Sequence, residues 1–123
     1  MIADVEQMLR AGKVADAIQV MQDHLRKQPN DVGVLMRLAG VAANVGAVPQ
    51  ALSALHKVTQ VAPEHGYAWF GIADLEAGRG NLAEADSCYR RAGGLLPSEP
   101  AVAYNHGVLL ERMGEADQAI EAY

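Results

Sequence analysis

The chain of 123 residues has one cysteine, Cys88, and therefore cannot form a disulfide bond within itself. Ten lysines and arginines stand against fifteen aspartates and glutamates, so the net charge is −5. No basic stripe is present, which excludes nucleic acid and anionic membranes as expected main partners. The chain has no apolar run as long as a membrane span and no signal peptide at its start. These features predict a cytoplasmic location for the chain as it stands.

Residues that could carry out chemistry are few and scattered. The histidines, His24, His56, His65 and His106, include no pair with the i, i+4 spacing of a zinc-binding helix. His106 falls in a core phase, and we expect a buried, hydrogen-bonded side chain there. A nucleophilic thiol needs a base within hydrogen-bonding reach, and Cys88 has no histidine near it in the sequence. We expect a partly exposed, unreactive thiol, and we predict no catalytic residue, metal site or cofactor.

The most informative feature that is present is a period of 34 residues, shared by four series of residues. The series are Pro29, Pro63 and Pro97; Gly12, Gly46, Gly80 and Gly114; Ala17, Ala51, Ala85 and Ala119; and Met21, Leu55, Tyr89 and Tyr123. A fixed period of about 20–50 residues is typical of proteins built from stacked repeats. The sequence therefore predicts a short repeat array.

Each period contains two signals that end a helix. Proline lacks the N–H that a helix needs, and glycine tolerates the left-handed conformation that often closes one. Each unit is therefore predicted to be a helix–turn–helix, with small residues at matched positions where two antiparallel helices cross closely. The predicted helices are 31–45 and 47–62, 64–79 and 81–96, and 99–113 followed by a second helix from 115 onward.

The third unit carries the most specific pattern, in residues Trp69, Ile72, Ala73, Ala85, Tyr89, Ala92 and Pro97. This pattern resembles the tetratricopeptide repeat (TPR) family, and the resemblance extends along the whole chain. Glu76 replaces an aromatic residue of the family pattern, His106 replaces a leucine, and Asp86 occupies a position that is usually apolar. By this resemblance we expect Trp69 to be buried between the helices of its unit.

The resemblance implies an all-α fold, a right-handed α-solenoid of antiparallel helix pairs with about three and a half repeats. It implies a single domain, 1–123, that consists of four repeats. Their predicted ranges are 1–31, 32–65, 66–99 and 100–123. The first repeat begins at its fourth position and the last stops at its twenty-fourth, so both are expected to be truncated or atypical terminal repeats.

In this family the first helices of successive repeats line a concave groove that binds proteins or peptides. The resemblance therefore implies a non-catalytic binding scaffold. The groove residues that it implies here are Met36, Arg37, Gly40, Asn44, Tyr67, Phe70, Asp74, Tyr104, Asn105, Val108 and Arg112. Aromatic and arginine side chains are frequent at binding hot spots, so we expect a partner with apolar or aromatic anchors. The alternative is that Tyr67, Phe70 and Tyr104 merely pack against one another.

Some TPR proteins clamp the terminal carboxylates of heat-shock chaperones with two lysines, an arginine and two asparagines. The corresponding residues here are Ile2, Glu6, Arg37, Tyr67 and Gly71. Because this set has lost most of its donors and cations, we do not expect a carboxylate clamp.

Two other functions stay open. The chain could be the accessory segment that recruits substrate to a larger enzyme, such as a transferase. It could also be a structural module that binds copies of itself. For the second, we expect Ala119, Ile120 and Tyr123 to lie on a face that a complete repeat would cover, which predicts a homo-oligomer through the exposed repeat ends.

Overall fold

The computed structural model describes the backbone of residues 1–122 and the side chains of residues 1–115 and of Asp117. This part of the chain contains seven α-helices and no β-strand. Helices α1 to α4 are Ile2–Arg10, Val14–Lys27, Val32–Asn44 and Val48–Val61, and helices α5 to α7 are Gly66–Gly78, Leu82–Leu95 and Pro100–Ala122. The prediction of an all-α fold is confirmed. The helices form two compact units, unit 1 and unit 2, with the division between Pro63 and Glu64.

Unit 1 consists of two helix pairs, α1 with α2 and α3 with α4. Ala17, Ala42 and Ala51 are completely buried, and small side chains at such points let neighbouring helices approach closely. Met21 and Val58 are also completely buried and supply apolar bulk beside them. The four helices are therefore held by burial of apolar surface, which stabilises a fold by about 25 cal/mol for each square ångström removed from water.

Unit 2 consists of the pair α5 and α6, with α7 packed against both of them. Its core follows the pattern seen in the sequence, because Ile72, Ala73, Ala85 and Ala92 are all completely buried. Helix α6 contacts α5 on one side and α7 on another. Two stripes of this helix are therefore buried rather than one.

Three of the four periodic glycines form the turns inside the helix pairs, and the fourth does not. Gly12, Gly46 and Gly80 have φ angles of 77°, 79° and 84°, in the left-handed region that glycine tolerates best. The prediction of a similar turn at Gly114 is wrong, since α7 continues through this residue to Ala122. Glycine permits a left-handed turn but does not impose one. The chain turns at Gly80 because α6 then packs along α5, which stabilises the turn.

Helices α3 and α5 begin with a side-chain cap. Oδ1 of Asp31 accepts a hydrogen bond of 3.2 Å from the backbone N–H of Val34 at the start of α3. Nδ1 of His65 accepts one of 3.2 Å from the N–H of Ala68 at the start of α5. Each bond satisfies one of the backbone donors that a helix leaves unpaired in its first turn. The first helices of two repeats are thus anchored at their N-termini.

Two expectations about single side chains are wrong. Trp69 is half-buried rather than fully buried, and the guanidinium carbon of Arg91 lies 4.6 Å from the centroid of the indole ring. Cys88 is 3% exposed rather than partly exposed, because α6 is buried on two sides. Burial, followed by the nearby carboxylate of Glu84, raises the pKa of the Cys88 thiol to about 11.

Other predictions from the sequence are not tested by the described residues. The four repeat ranges stay a prediction, because the division into two units does not separate individual repeats. The side chains of Ala119 and Ile120 and the whole of Tyr123 lie outside the described residues, and so does the oligomer interface predicted there. None of the described helices combines the length and the apolar character needed to cross a membrane.

Candidate functional site

Seven of the predicted groove residues lie in unit 2, and we call this set the α5–α7 face. Its members are Tyr67, Phe70 and Asp74 on α5 and Tyr104, Asn105, Val108 and Arg112 on α7. Hydrogen bonds join the two helices directly: Nδ2 of Asn105 donates to Oδ1 of Asp74 at 3.1 Å. The structure therefore places α5 and α7 side by side at this pair of residues.

One end of the face is formed by Tyr67. Its hydroxyl donates a hydrogen bond of 3.0 Å to Oε2 of Glu99, just before α7, while half of the residue remains exposed. The hydrogen bond to Glu99 is the main reason that the pKa of Tyr67 is raised above its usual value. The ring is thus positioned by its hydroxyl and stays accessible to solvent.

The aromatic residues of the face do not form one closed cluster. The ring of Phe70 contacts the ring of Tyr89, with centroids 6.2 Å apart. Tyr104, in contrast, is 73% exposed. The alternative in which Tyr67, Phe70 and Tyr104 pack only against one another therefore does not describe the arrangement. Phe70 belongs partly to the core of unit 2, and Tyr104 belongs to its surface.

Tyr89 links the core of unit 2 to the polar groups of the face. This side chain of α6 is 3% exposed, and its hydroxyl donates to Oδ1 of Asp74. The pKa of Tyr89 is raised above the usual value for tyrosine. Burial is the larger cause, and the hydrogen bond to Asp74 is the second. Oδ1 of Asp74 therefore accepts from both Tyr89 and Asn105. This carboxylate holds three helices together.

A pocket of about 280 Å³ opens on the α5–α7 face. It is lined by Ala77, Tyr89, Tyr104, Asn105, Val108, Leu109 and Arg112. Its walls are mainly apolar, and its polar groups include the Asn105 amide and the Arg112 guanidinium. NH1 of Arg112 donates a hydrogen bond of 3.0 Å to the carbonyl oxygen of Ala77, in the last turn of α5. Four of the seven predicted residues of the face line this one pocket.

A second polar cluster joins α6 to α7. Nε2 of His106 donates to Oδ1 of Asp86 at 2.6 Å, and Nε of Arg90 donates to Oδ2 of the same carboxylate at 3.2 Å. The hydrogen bond from His106 is the largest cause of the lowered pKa of Asp86. His106 is half-buried, so its expected hydrogen bond is confirmed and its full burial is not. Among the described residues, no group of three or more His, Cys, Asp or Glu side chains is placed to hold a metal ion.

The other four predicted groove residues, Met36, Arg37, Gly40 and Asn44, lie on α3 in unit 1. NH2 of Arg37 forms a salt bridge of 2.6 Å with Oε1 of Glu6 on α1. Met36 is half-buried, whereas Gly40 and Asn44 are exposed. The guanidinium charge of Arg37 is thus already paired within unit 1.

The sequence missed three residues of the pocket, Ala77, Tyr89 and Leu109. Tyr89 lies in the core of unit 2 and also lines the pocket. A signal was available, since a buried tyrosine hydroxyl usually needs a hydrogen-bonding partner. Asp74, one turn before the end of α5, is that partner.

The helix pairs and the glycine turns define the class of protein, an all-α repeat protein. A model of the family described as tetratricopeptide repeat matches residues 36–100, which is more than half of the chain. The chain therefore belongs to the tetratricopeptide repeat family, and the predicted family is confirmed.

Two curated relatives show what such a chain can be part of. The chain is 24% identical over 127 residues to the general transcriptional corepressor ssn6 of Schizosaccharomyces pombe, a match that covers 96% of this chain. It is 27% identical over 111 residues to the human protein O-mannosyl-transferase TMTC3, a match that covers 78% of this chain. The chain spans only 12% of the length of each of these relatives.

Solved structures agree on the fold. A crystal structure of MamA superimposes with a TM-score of 0.85 at 24% identity, covering 97% of this chain and 70% of that one. The first TPR of Spaghetti (RPAP3), solved bound to the HSP90 peptide SRMEEVD, gives a TM-score of 0.83 at 14% identity, covering 91% of this chain and 89% of that one. At these identities the likeness shows a shared fold of helix pairs.

Proposed function

We propose that the chain is a non-catalytic binding module whose α5–α7 face holds a peptide segment of a partner protein. The observation that carries the proposal is the exposure of Tyr104 and Val108, one helical turn apart at the rim of the pocket. They are 73% and 43% exposed. Adjacent exposed apolar side chains beside a pocket are typical of interaction sites. A structure of the RPAP3 repeat with a bound peptide supports this use of the fold.

The partner that fits this face carries apolar or aromatic anchor side chains. Helix α7 supplies a rigid platform, and Tyr104 offers a large contact area with little conformational freedom to lose. The hydrogen bonds to Asp74 hold Asn105 and Tyr89, two residues that line the pocket, in place. A preformed site of this kind loses less entropy when it binds. We extend the same proposal to Met36, Arg37, Gly40 and Asn44 of unit 1 as a second contact region.

Capture of a partner from a lysate of the source organism tests the proposal. The Tyr104→Ala and Val108→Ala variants should lose most of the captured partner while their helix content stays unchanged. The matched control is Leu110→Ala, because Leu110 is 44% exposed on the same helix but does not line the pocket. Equal capture by all three variants would place the binding surface elsewhere.

A second candidate function has support from one relative. The chain resembles a part of TMTC3 that covers 12% of that transferase. The chain could accordingly be the segment that presents a protein substrate to an attached enzyme. Immunopurification from the source organism followed by a transferase assay decides between the two functions: a polypeptide much larger than 13.1 kDa that has transferase activity supports the second.

A further inference from the structure

In the described part of unit 2, one arginine side chain has neither a carboxylate nor an aromatic ring as its partner. Arg79 and Arg90 form salt bridges with Glu76 and Asp86, and Arg91 lies over the ring of Trp69. Arg112 forms no salt bridge with any described residue, and the hydrogen bond that it donates ends on a neutral backbone carbonyl. The arginine that forms no ion pair therefore lines the pocket of the α5–α7 face.

The neighbouring carboxylate does not cancel this charge through a direct bond. Oδ1 of Asp74 accepts from the Tyr89 hydroxyl and from Asn105, which stabilises its own charge. The guanidinium of Arg112 uses NH1 for Ala77 and keeps its other N–H donors. Because guanidinium is planar, the bond to Ala77 also fixes the direction of the remaining donors. Arg112 is thus preoriented and still able to bind an acceptor.

The size and lining of the pocket indicate which side chain of the partner fits beside the acceptor. Its volume of about 280 Å³ is at the lower end of the range of about 300–1,000 Å³ that is usual for small-molecule sites. It suits one or two side chains of a longer segment. Tyr104, Val108 and Leu109 provide apolar walls, and Arg112 is their cationic neighbour. An apolar side chain with a carboxylate beside it matches both features.

We propose that the pocket selects a peptide segment in which an acidic residue lies next to an apolar or aromatic anchor, with Arg112 binding the carboxylate. The inference rests on the proposed function of the same face and adds the charge of the partner. It differs from a carboxylate clamp, because one arginine on α7 recognises the acid and the anchor side chain supplies the remaining contact. A charged hydrogen bond of this kind gives selectivity as well as affinity.

Three labelled synthetic peptides test the inference on the full chain. They share a serine–glycine background with a single phenylalanine and differ only in the next residue, which is aspartate, asparagine or lysine. Binding is followed by NMR shifts of the backbone amides of Tyr104, Val108 and Arg112 and by fluorescence anisotropy. We expect the aspartate peptide to bind about tenfold more tightly than the asparagine peptide. The lysine peptide should bind most weakly.

Variants connect this preference to Arg112. Arg112→Gln should bind the aspartate and asparagine peptides equally, whereas Arg91→Gln removes an arginine elsewhere in unit 2 and should keep the preference. Binding that depends on Tyr104 but ignores the peptide charge would overturn this inference and leave the proposed function standing. Preference that persists in Arg112→Gln would also overturn it. If none of the peptides shifts these amides, the pocket does not bind such segments and the inference fails.

Discussion

The imidazole of His106 on α7 donates a hydrogen bond of 2.6 Å to the carboxylate of Asp86 on α6. The same ring stacks on Tyr89, with centroids 5.5 Å apart and an angle of 27° between the planes. Both positions are usually apolar in the TPR pattern, and here the two polar side chains contact each other. A polar pair thus replaces an apolar contact in the packing of α7, and each partner compensates for the other.

This compensation can be measured with a double-mutant cycle. Asp86→Leu leaves the half-buried His106 without its acceptor and should lower the free energy of unfolding by about 1–2 kcal/mol. His106→Leu should cost less, because Arg90 still donates to Asp86. The double variant should recover most of the loss, since an apolar pair needs no hydrogen bond. Urea denaturation monitors all four proteins, and additive losses would show that the two residues act independently.

Acid should weaken the contacts between helices at two aspartates. The pKa of Asp31 is lowered mainly by the hydrogen bond with His24, 2.8 Å away, and that of Asp86 mainly by the hydrogen bond with His106. A lowered pKa in the folded protein means that the unfolded chain takes up protons first as the pH falls. The stabilisation is therefore complete above the ordinary aspartate value near 3.8 and is lost as the pH falls through the lower folded values.

The measurement for this prediction is urea denaturation of the wild type and of the Asp31→Asn and Asp86→Asn variants. Sampling should run from about pH 6 down to about pH 2, a range that includes the usual aspartate pKa. We expect the wild type to be more stable at the upper end and the difference to shrink below about pH 4. A difference that stays constant across the range would show that these carboxylates are not linked to folding in this way.

Most of the fold could be predicted from the sequence because the same residue pattern occurs in each repeat. The alanines at the helix crossings and the turns at Gly12, Gly46 and Gly80 are periodic features, and each reinforces the others. Helices α3 to α6 start and end within one or two residues of the predicted limits. Periodic signals of this kind report local geometry, which is why they succeed for turns and core faces.

The errors concern properties that a period does not encode. Cys88 is buried because α6 packs on two neighbours, which depends on how repeats stack rather than on one helix face. Trp69 is only half-buried although it occupies the family position, and Arg91 covers its ring. The pocket on the α5–α7 face depends on Tyr89 from a third helix. Long-range packing and single side-chain partners therefore had to come from the structure.

Cys88 should resist thiol reagents in the folded protein. It is 3% exposed, its thiol donates to Oε1 of Glu84 at 3.7 Å, and its pKa is raised to about 11. Since the thiolate is the reactive form, we expect labelling by iodoacetamide near neutral pH to be much slower than in urea-unfolded chain. Glu84→Gln should leave the slow rate almost unchanged, because burial is the larger cause. Equally fast labelling with and without urea would contradict the buried position.

The last prediction compares the glycines at 80 and 114, which occupy equivalent positions in consecutive repeats. Among the described residues, no atom outside the local backbone lies within 4 Å of the place where a Cβ would be added at either glycine. The difference between them is conformational: Gly80 has φ of 84°, whereas Gly114 lies inside the continuous helix α7. Gly80→Ala should therefore destabilise the protein by about 1–2 kcal/mol, the cost of a left-handed conformation for a residue with a side chain. Gly114→Ala should stabilise it by about 0.5–1 kcal/mol, because alanine is the better helix former.

Thermal denaturation followed by circular dichroism shows whether each substitution raises or lowers the stability of the protein. Destabilisation by both substitutions would mean that the chain turns at Gly114 as it does at Gly80, and that α7 is divided in solution.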